Sequence, residues 1–189
     1  DSRVIDGTEV QVIAQRSRIA ICNSRGLDLR YDNAVTGLVT VAVVSDGKEM
    51  ADAFQVKLGK LDTIDTDAMT AKAATKALSR LGGDVAPTGQ YPIVFSPEAV
   101  AALLQTFSGV FSSENAQKGL SKLAGSEGQV VASSVVNLMD DPFHPENPMP
   151  IPFDAEGSPT ACKAVIEGGV LKTLLYNLKT AAVAGKQTT

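Results

Sequence analysis

The first half of the chain carries the period of strands. The stretch "RIAICNSRGLDLRY" places two β-prone runs around Asn23-Ser24-Arg25-Gly26, a hairpin signal with a glycine for positive φ. Val35 to Val44 is a long β-branched run, Asp46-Gly47 is a strong turn dipeptide, and a further strand is expected from Met50 to Leu58. Together these runs predict an antiparallel meander of about four strands. The period then changes. "DTDAMTAKAATKALSRLGG" is Ala-rich and helix-prone, with Asp65 or Thr66 to cap its start, Arg80 at the negative end of its dipole and Gly82 to stop it.

The second half mixes the two periods. In "YPIVFSPEAVAALLQTF", Ile93, Val94 and Phe95 read as the body of a short strand, with Pro92 tolerated only at its first residue or at a sheet edge. Ser96 is a good N-cap, Pro97 suits the first helical position, and Val100, Leu103, Leu104 and Phe107 repeat at i, i+3, i+4, i+7. A second helix is expected from Ser113 to Leu123, broken by "GSEGQ". "VVASSVVNLMDDP" reads as a strand, and the proline-rich "FHPENPMPIP" as irregular structure. "FDAEGSPT" is an acidic turn, "ACKAVIEGGVLKTLLY" a hairpin around Gly168-Gly169, and "NLKTAAVAGKQTT" a short helix that stops. The expected class is α+β: antiparallel strand meanders with flanking helices. The expected division is residues 1–83, strand-rich plus a helix, and 84–189, strand-helix-helix with the Pro-rich loop and the C-terminal hairpin.

Composition narrows this only a little. At 189 residues, 44% hydrophobic and 20% charged, the chain suits one large or two small globular domains. A net charge of −4, with Lys and Arg scattered singly, argues against a surface for nucleic acid. Cys22 and Cys162 are far apart in sequence; a disulfide could join them, but two free thiols in a reducing compartment fit better. No apolar run approaches the roughly 20 residues of a bilayer span. The chain begins with Asp1 rather than Met, which suggests a trimmed or excised piece.

Candidate chemistry is sparse. His144 is the only histidine, and a metal site built on it would need Asp140, Asp141 or Cys162. The simpler reading is a solvated loop histidine among prolines. No G-x-S-x-G elbow, P-loop or dinucleotide fingerprint is present. Asp154 and Glu156 could hold a cation or act as acid and base, or could simply build an Asx-type turn. Glu98 lies in the first turn of its helix, where a negative charge is favourable without any further role.

Several segments together carry a resemblance. "ICNSRGL", "YPIVFSPEAVAALL", "LMDDP", "PFDAEGSPT" and "IEGGVLKTLLYNLKTA" follow one another in the order and spacing of the TldD/PmbA family. That family is known for modulation of DNA gyrase and as peptide-processing metalloproteases. The resemblance covers nearly the whole chain from about Ile19 onward, and "PFDAEGSPT" with "GGVLKTLLYNLKTA" is its most specific part. The metal-bearing TldD branch has a HExxxH helix, whose histidines bind zinc, where this sequence reads "PEAVAA". Pro97 stands in place of the first histidine and Ala102 in place of the second; only Glu98 remains. Neither proline nor alanine offers a lone pair to a metal. The chain therefore resembles the PmbA branch, also called TldE.

The resemblance implies a central fragment of a larger two-domain protein, lacking N- and C-terminal regions. It implies a non-metal subunit of a cytoplasmic proteolytic complex, with zinc in the HExxxH-bearing sister and no catalytic residue or cofactor in this chain. The implied substrate is a peptide or unfolded segment, with Glu98, Asp154 and Glu156 as candidate substrate-binding residues. Neither direct nucleic-acid binding nor a membrane is implied. A homodimer is expected if the apolar hairpin (Ala164, Ile166, Val170, Leu171, Leu174, Leu175) and the Val35 to Val44 strand stay uncovered. A binding or assembly protein with no part in proteolysis is the alternative. An independent enzyme using Asp140, Asp141 and His144 is a third reading.

Overall fold

Asp46-Gly47 turns the chain back as the sequence predicts, and the strands on either side are in register over nine pairs, from Gly37 opposite Leu58 to Ser45 opposite Met50. The computed structural model describes residues 1–189. Three strands form the first sheet, β1 (Glu9–Cys22), β2 (Asp28–Ser45) and β3 (Met50–Leu58), in the order β1-β2-β3. The expected four strands become three because the runs around Arg30 and Val39 are one continuous strand of 18 residues. Gly37 lets β2 approach β3: a Cβ there would lie 2.6 Å from the Lys57 carbonyl oxygen.

Helix α1 (Thr66–Leu78) begins at Asp65, whose side chain accepts the Ala68 N–H. It packs its alanines on the sheet, and Ala42, Val44 and Ala53 form a core with Ala73 and Ala77. Small residues on both sides allow that close approach. The helix stops four residues before Gly82, which takes φ +70° and donates its N–H to Glu49. Arg80 reaches past the helix end to the Asp52 carbonyl on β3.

The chain divides into two compact units, residues 1–20 with 30–90, and residues 21–29 with 91–189. In the second unit, α2 (Pro97–Phe107) starts as the sequence predicts, with Ser96 accepting the Ala99 N–H and proline in the first turn. A 3-10 turn over Ser108–Phe111 leads into α3 (Ser113–Gln117). Strands β4 (Leu138–Asp140), β5 (Lys163–Glu167) and β6 (Val170–Leu171) make a small antiparallel sheet in that order. Helix α4 (Leu178–Ala184) opens with an Asn177–Thr180 capping box and closes at Gly185. Val165, Ile166, Leu171, Leu174, Tyr176 and Ala181 form the core of this unit. No helix is long and apolar enough to cross a membrane.

Four expectations change. Ile93–Phe95 is not a strand, and Val94 is 97% exposed. A strand needs a ladder, and Pro92 supplies no donor at its start. The helix expected to reach Leu123 ends at Gln117, because Gly119 turns to φ +72°. Of the strand expected over 130–142 only Leu138–Asp140 forms, although Val130 bridges to Val170. The chain before it instead turns tightly over Gly169, where a Cβ would sit 2.4 Å from the Ala132 carbonyl oxygen. Finally, the hairpin, a candidate for an uncovered surface, is mostly interior: Val165, Ile166, Leu171 and Leu174 are buried, and Leu175 is 36% exposed.

Candidate functional site

The second unit contains a cleft of about 520 Å³, within the usual size range of ligand sites. Ser112, Asp140, Asp154, Lys163, Tyr176 and Asn177 are among its lining residues. Asp140 on β4 and Lys163 on β5 are register partners, and their side chains form an ion pair at 2.9 Å. Cross-strand placement brings opposite charges together here, and the Lys163 side chain is only 18% exposed.

The residues singled out in the sequence are placed unequally. Asp154 lines the cleft, and its Oδ1 accepts the N–H groups of Glu156 at 2.9 Å and Ser158 at 2.8 Å. The turn is closed by Asp154 N–H donating to Ser158 O, and it passes through Gly157 at φ +81°, so the Asx-turn reading describes this carboxylate's contacts. Glu156 points elsewhere. Its Oε2 accepts the Leu178 N–H at 2.8 Å, which satisfies a donor at the start of α4. Glu98 occupies the second position of α2 and is exposed.

Asp140, Asp141, His144 and Cys162 do not converge. Asp141 accepts the Phe143 N–H at 3.0 Å, His144 Nδ1 accepts the Glu146 N–H at 3.2 Å, Asp140 is paired with Lys163, and Cys162 is exposed. No three His, Cys, Asp or Glu side chains gather as a metal site. On α2, Pro97 and Ala102, the positions at which the resemblance to the TldD branch implies zinc ligands, carry no donor atom. The residues present do not fit a catalytic zinc, which takes three protein ligands and a water.

One cluster was invisible in the sequence. Glu127, inside the helix-breaking "GSEGQ", accepts the Leu174 N–H and the Tyr176 hydroxyl, both at 2.9 Å, and pairs with Lys186. Lys186 also donates to the Tyr176 hydroxyl at 3.2 Å and lies 4.9 Å from the ring centroid. Burial pushes the Glu127 carboxyl up, but the hydrogen bonds from Lys186, the Leu174 N–H and Tyr176 outweigh it and hold the group below the ordinary range. Burial, then the Glu127 carboxylate, push the Tyr176 phenol up. The Glu127 hydrogen bond raises Lys186. No local pattern could reveal this cluster, because its members lie up to 59 positions apart.

Comparison with known proteins places these features. The PmbA/TldA metallopeptidase central domain matches residues 1–81, and the C-terminal domain of the same description matches residues 88–189. A metalloprotease of Archaeoglobus fulgidus is 26% identical over 184 residues, 94% of this chain and 42% of its own length. The crystal structure of a "putative modulator of a DNA gyrase" from Thermotoga maritima superposes with a TM-score of 0.91 at 34% identity, covering 100% of this chain and 44% of that one. The structure of TldE from Thermococcus kodakarensis gives a TM-score of 0.81 at 29% identity, covering 92% and 40%. The chain thus spans less than half the length of these relatives. With both domain matches and an α+β fold shared over its full length, the chain belongs to the PmbA/TldD metallopeptidase family.

Proposed function

We propose that this chain belongs to a PmbA/TldE-type subunit that carries no metal of its own and acts beside a HExxxH-bearing sister on peptides or unfolded segments. The observation that carries the reading is α2. It keeps a well-formed helix start at Ser96 and Pro97, yet offers Pro97 and Ala102 where the sister has ligands. Peptide hydrolysis at neutral pH needs an activated water or nucleophile. The sister's zinc would supply the activated water.

This chain would then shape the space in which the substrate lies. The apolar side of α2, with Leu103, Leu104 and Phe107 exposed, suits a partner subunit, and the cleft with Asp154 and the Asp140–Lys163 pair suits an extended peptide. Glu98 lies in the first turn of the same helix, while Glu156 would act only through α4. The work would be cytoplasmic, and any effect on DNA gyrase would come through peptide processing rather than direct nucleic-acid binding.

Co-expression with a HExxxH-bearing sister tests this. The expected result is a stable complex that cleaves an unstructured peptide, with chelator-sensitive activity that requires both chains. A sister that is fully active alone and never co-purifies with this chain would refute it. A complex that forms but cleaves nothing would assign the chain to assembly instead.

A further inference from the structure

Glu127 and Lys186 lie outside the cleft lining, whereas their partner Tyr176 is part of it. The three come from separate segments: the turns after α3, the stretch after β6 and the residues just past α4. Glu127 is the acceptor that joins the other two segments to its own. It takes the Leu174 N–H and Tyr176 O–H at 2.9 Å and the Lys186 ammonium. The charged and titratable groups facing Glu127 are Lys186 and Tyr176; those facing Tyr176 are Glu127 and Lys186; those facing Lys186 are Glu127 and Tyr176. The set is closed on itself.

Its position matters because of what Tyr176 carries. Leu175, Tyr176 and Asn177 form one wall of the cleft, whereas Glu127 is not among the lining residues. The Tyr176 backbone N–H is also held, by Thr189 Oγ1 at 2.8 Å, and Asn177 caps α4. Removing the carboxylate would leave a backbone N–H, a phenol in the core and an ammonium without their shared acceptor. Loss of such charge-assisted bonds is costly, and it would leave Lys186 only its contact to the Tyr176 hydroxyl oxygen.

We propose that Glu127, Tyr176 and Lys186 form a clasp behind the cleft that sets the position of the Leu175–Asn177 wall, with Glu127 as its positioning residue, and that protonating Glu127 releases the wall. Glu127 and Lys186 act on the cleft from outside its lining, through Tyr176, so the clasp stands independently of the peptide reading above.

Amide hydrogen exchange by NMR on the 189-residue chain tests the clasp residue by residue. In Glu127→Gln, protection of the Leu174 and Tyr176 amides should fall by about tenfold or more. The Lys172 amide, which donates to Val165 across the hairpin at 2.8 Å, should keep its protection. In the unsubstituted chain, the same two protection factors should fall together with the Glu127 carboxyl titration, read from its own side-chain carbon. Lys186→Met should move that titration up toward the ordinary carboxylate range. Unchanged protection at Leu174 and Tyr176, or an equal loss at all three amides, would overturn the clasp. Should Glu127→Gln fail to fold, Lys186→Met and the acid titration decide by the same amides.

Discussion

Glu127 shows how one side chain can join segments that the sequence keeps apart. Its carboxyl is held below the ordinary range, so its stabilising contribution is present above the unfolded pKa and is lost as pH falls through the lower folded value. Glu127→Gln should therefore cost about 2 kcal/mol at pH 7 and much less in strong acid, where the native carboxyl is itself protonated. Urea unfolding of both chains across the acid range checks this, and a difference that does not shrink on acidification would contradict it. Gly169 is a second sharp case at this scale. It combines φ +80° with a Cβ position 2.4 Å from the Ala132 carbonyl oxygen. Gly169→Ala should destabilise by more than about 2 kcal/mol, because backbone on both sides must shift. Gly168→Ala, with open space around its Cβ, should cost less in the same thermal melts.

At the scale of elements, α2 and the hairpin exchange their expected roles. Most of the hairpin's apolar residues are interior, with Val165, Ile166, Leu171 and Leu174 packed with Phe111, Leu123 and Leu138, while Leu175 stays 36% exposed. Helix α2 has the cleaner amphipathic spacing, yet none of its residues is buried and Phe107 is 63% exposed. An isolated helix of this length is marginal in water. Ser96→Ala should therefore fray α2, at a cost of about 1 kcal/mol to the helix, while the core amides around Leu171 keep their exchange rates. Leu104→Glu should leave the stability of the chain within about 0.5 kcal/mol and yet abolish binding to a HExxxH-bearing sister. Retained binding in a pull-down would move the partner surface away from α2.

For the whole molecule, self-association is expected to involve α2 and the extended segment before it, not the hairpin. Tyr91, Ile93, Val94 and Phe95 join the α2 side chains as exposed large hydrophobics. Closed two-fold pairs are the commonest way to cover such surface. Light scattering should show a mass above the monomer that Leu104→Glu reduces; a monomer at all concentrations, with no apolar dye bound, would contradict this. Purified chain should also hold well under one zinc per chain by elemental analysis, since the donors on α2 are absent.

What the sequence determined by itself is local. The Ser96-Pro97 start of α2, the Asp65 cap of α1, the Asp46-Gly47 turn and the Gly168-Gly169 hairpin all form, because caps and turns are built from neighbouring residues whose conformations are intrinsic. That Pro97 and Ala102 offer no metal-binding atom was equally legible, since it depends on atoms those residues lack. Tertiary structure decided the rest. Ile93–Phe95 has strand propensity but no ladder, and propensity alone does not satisfy a backbone. Asp154 and Glu156 sit two positions apart yet face different tasks, one closing its own turn and one capping α4. Glu127, in an unremarkable Gly-rich stretch, meets Tyr176 and Lys186 only once β6 and α4 are packed. A carboxylate's role depends on which donors the folded chain brings within about 3 Å of it, and that distance does not exist in a sequence.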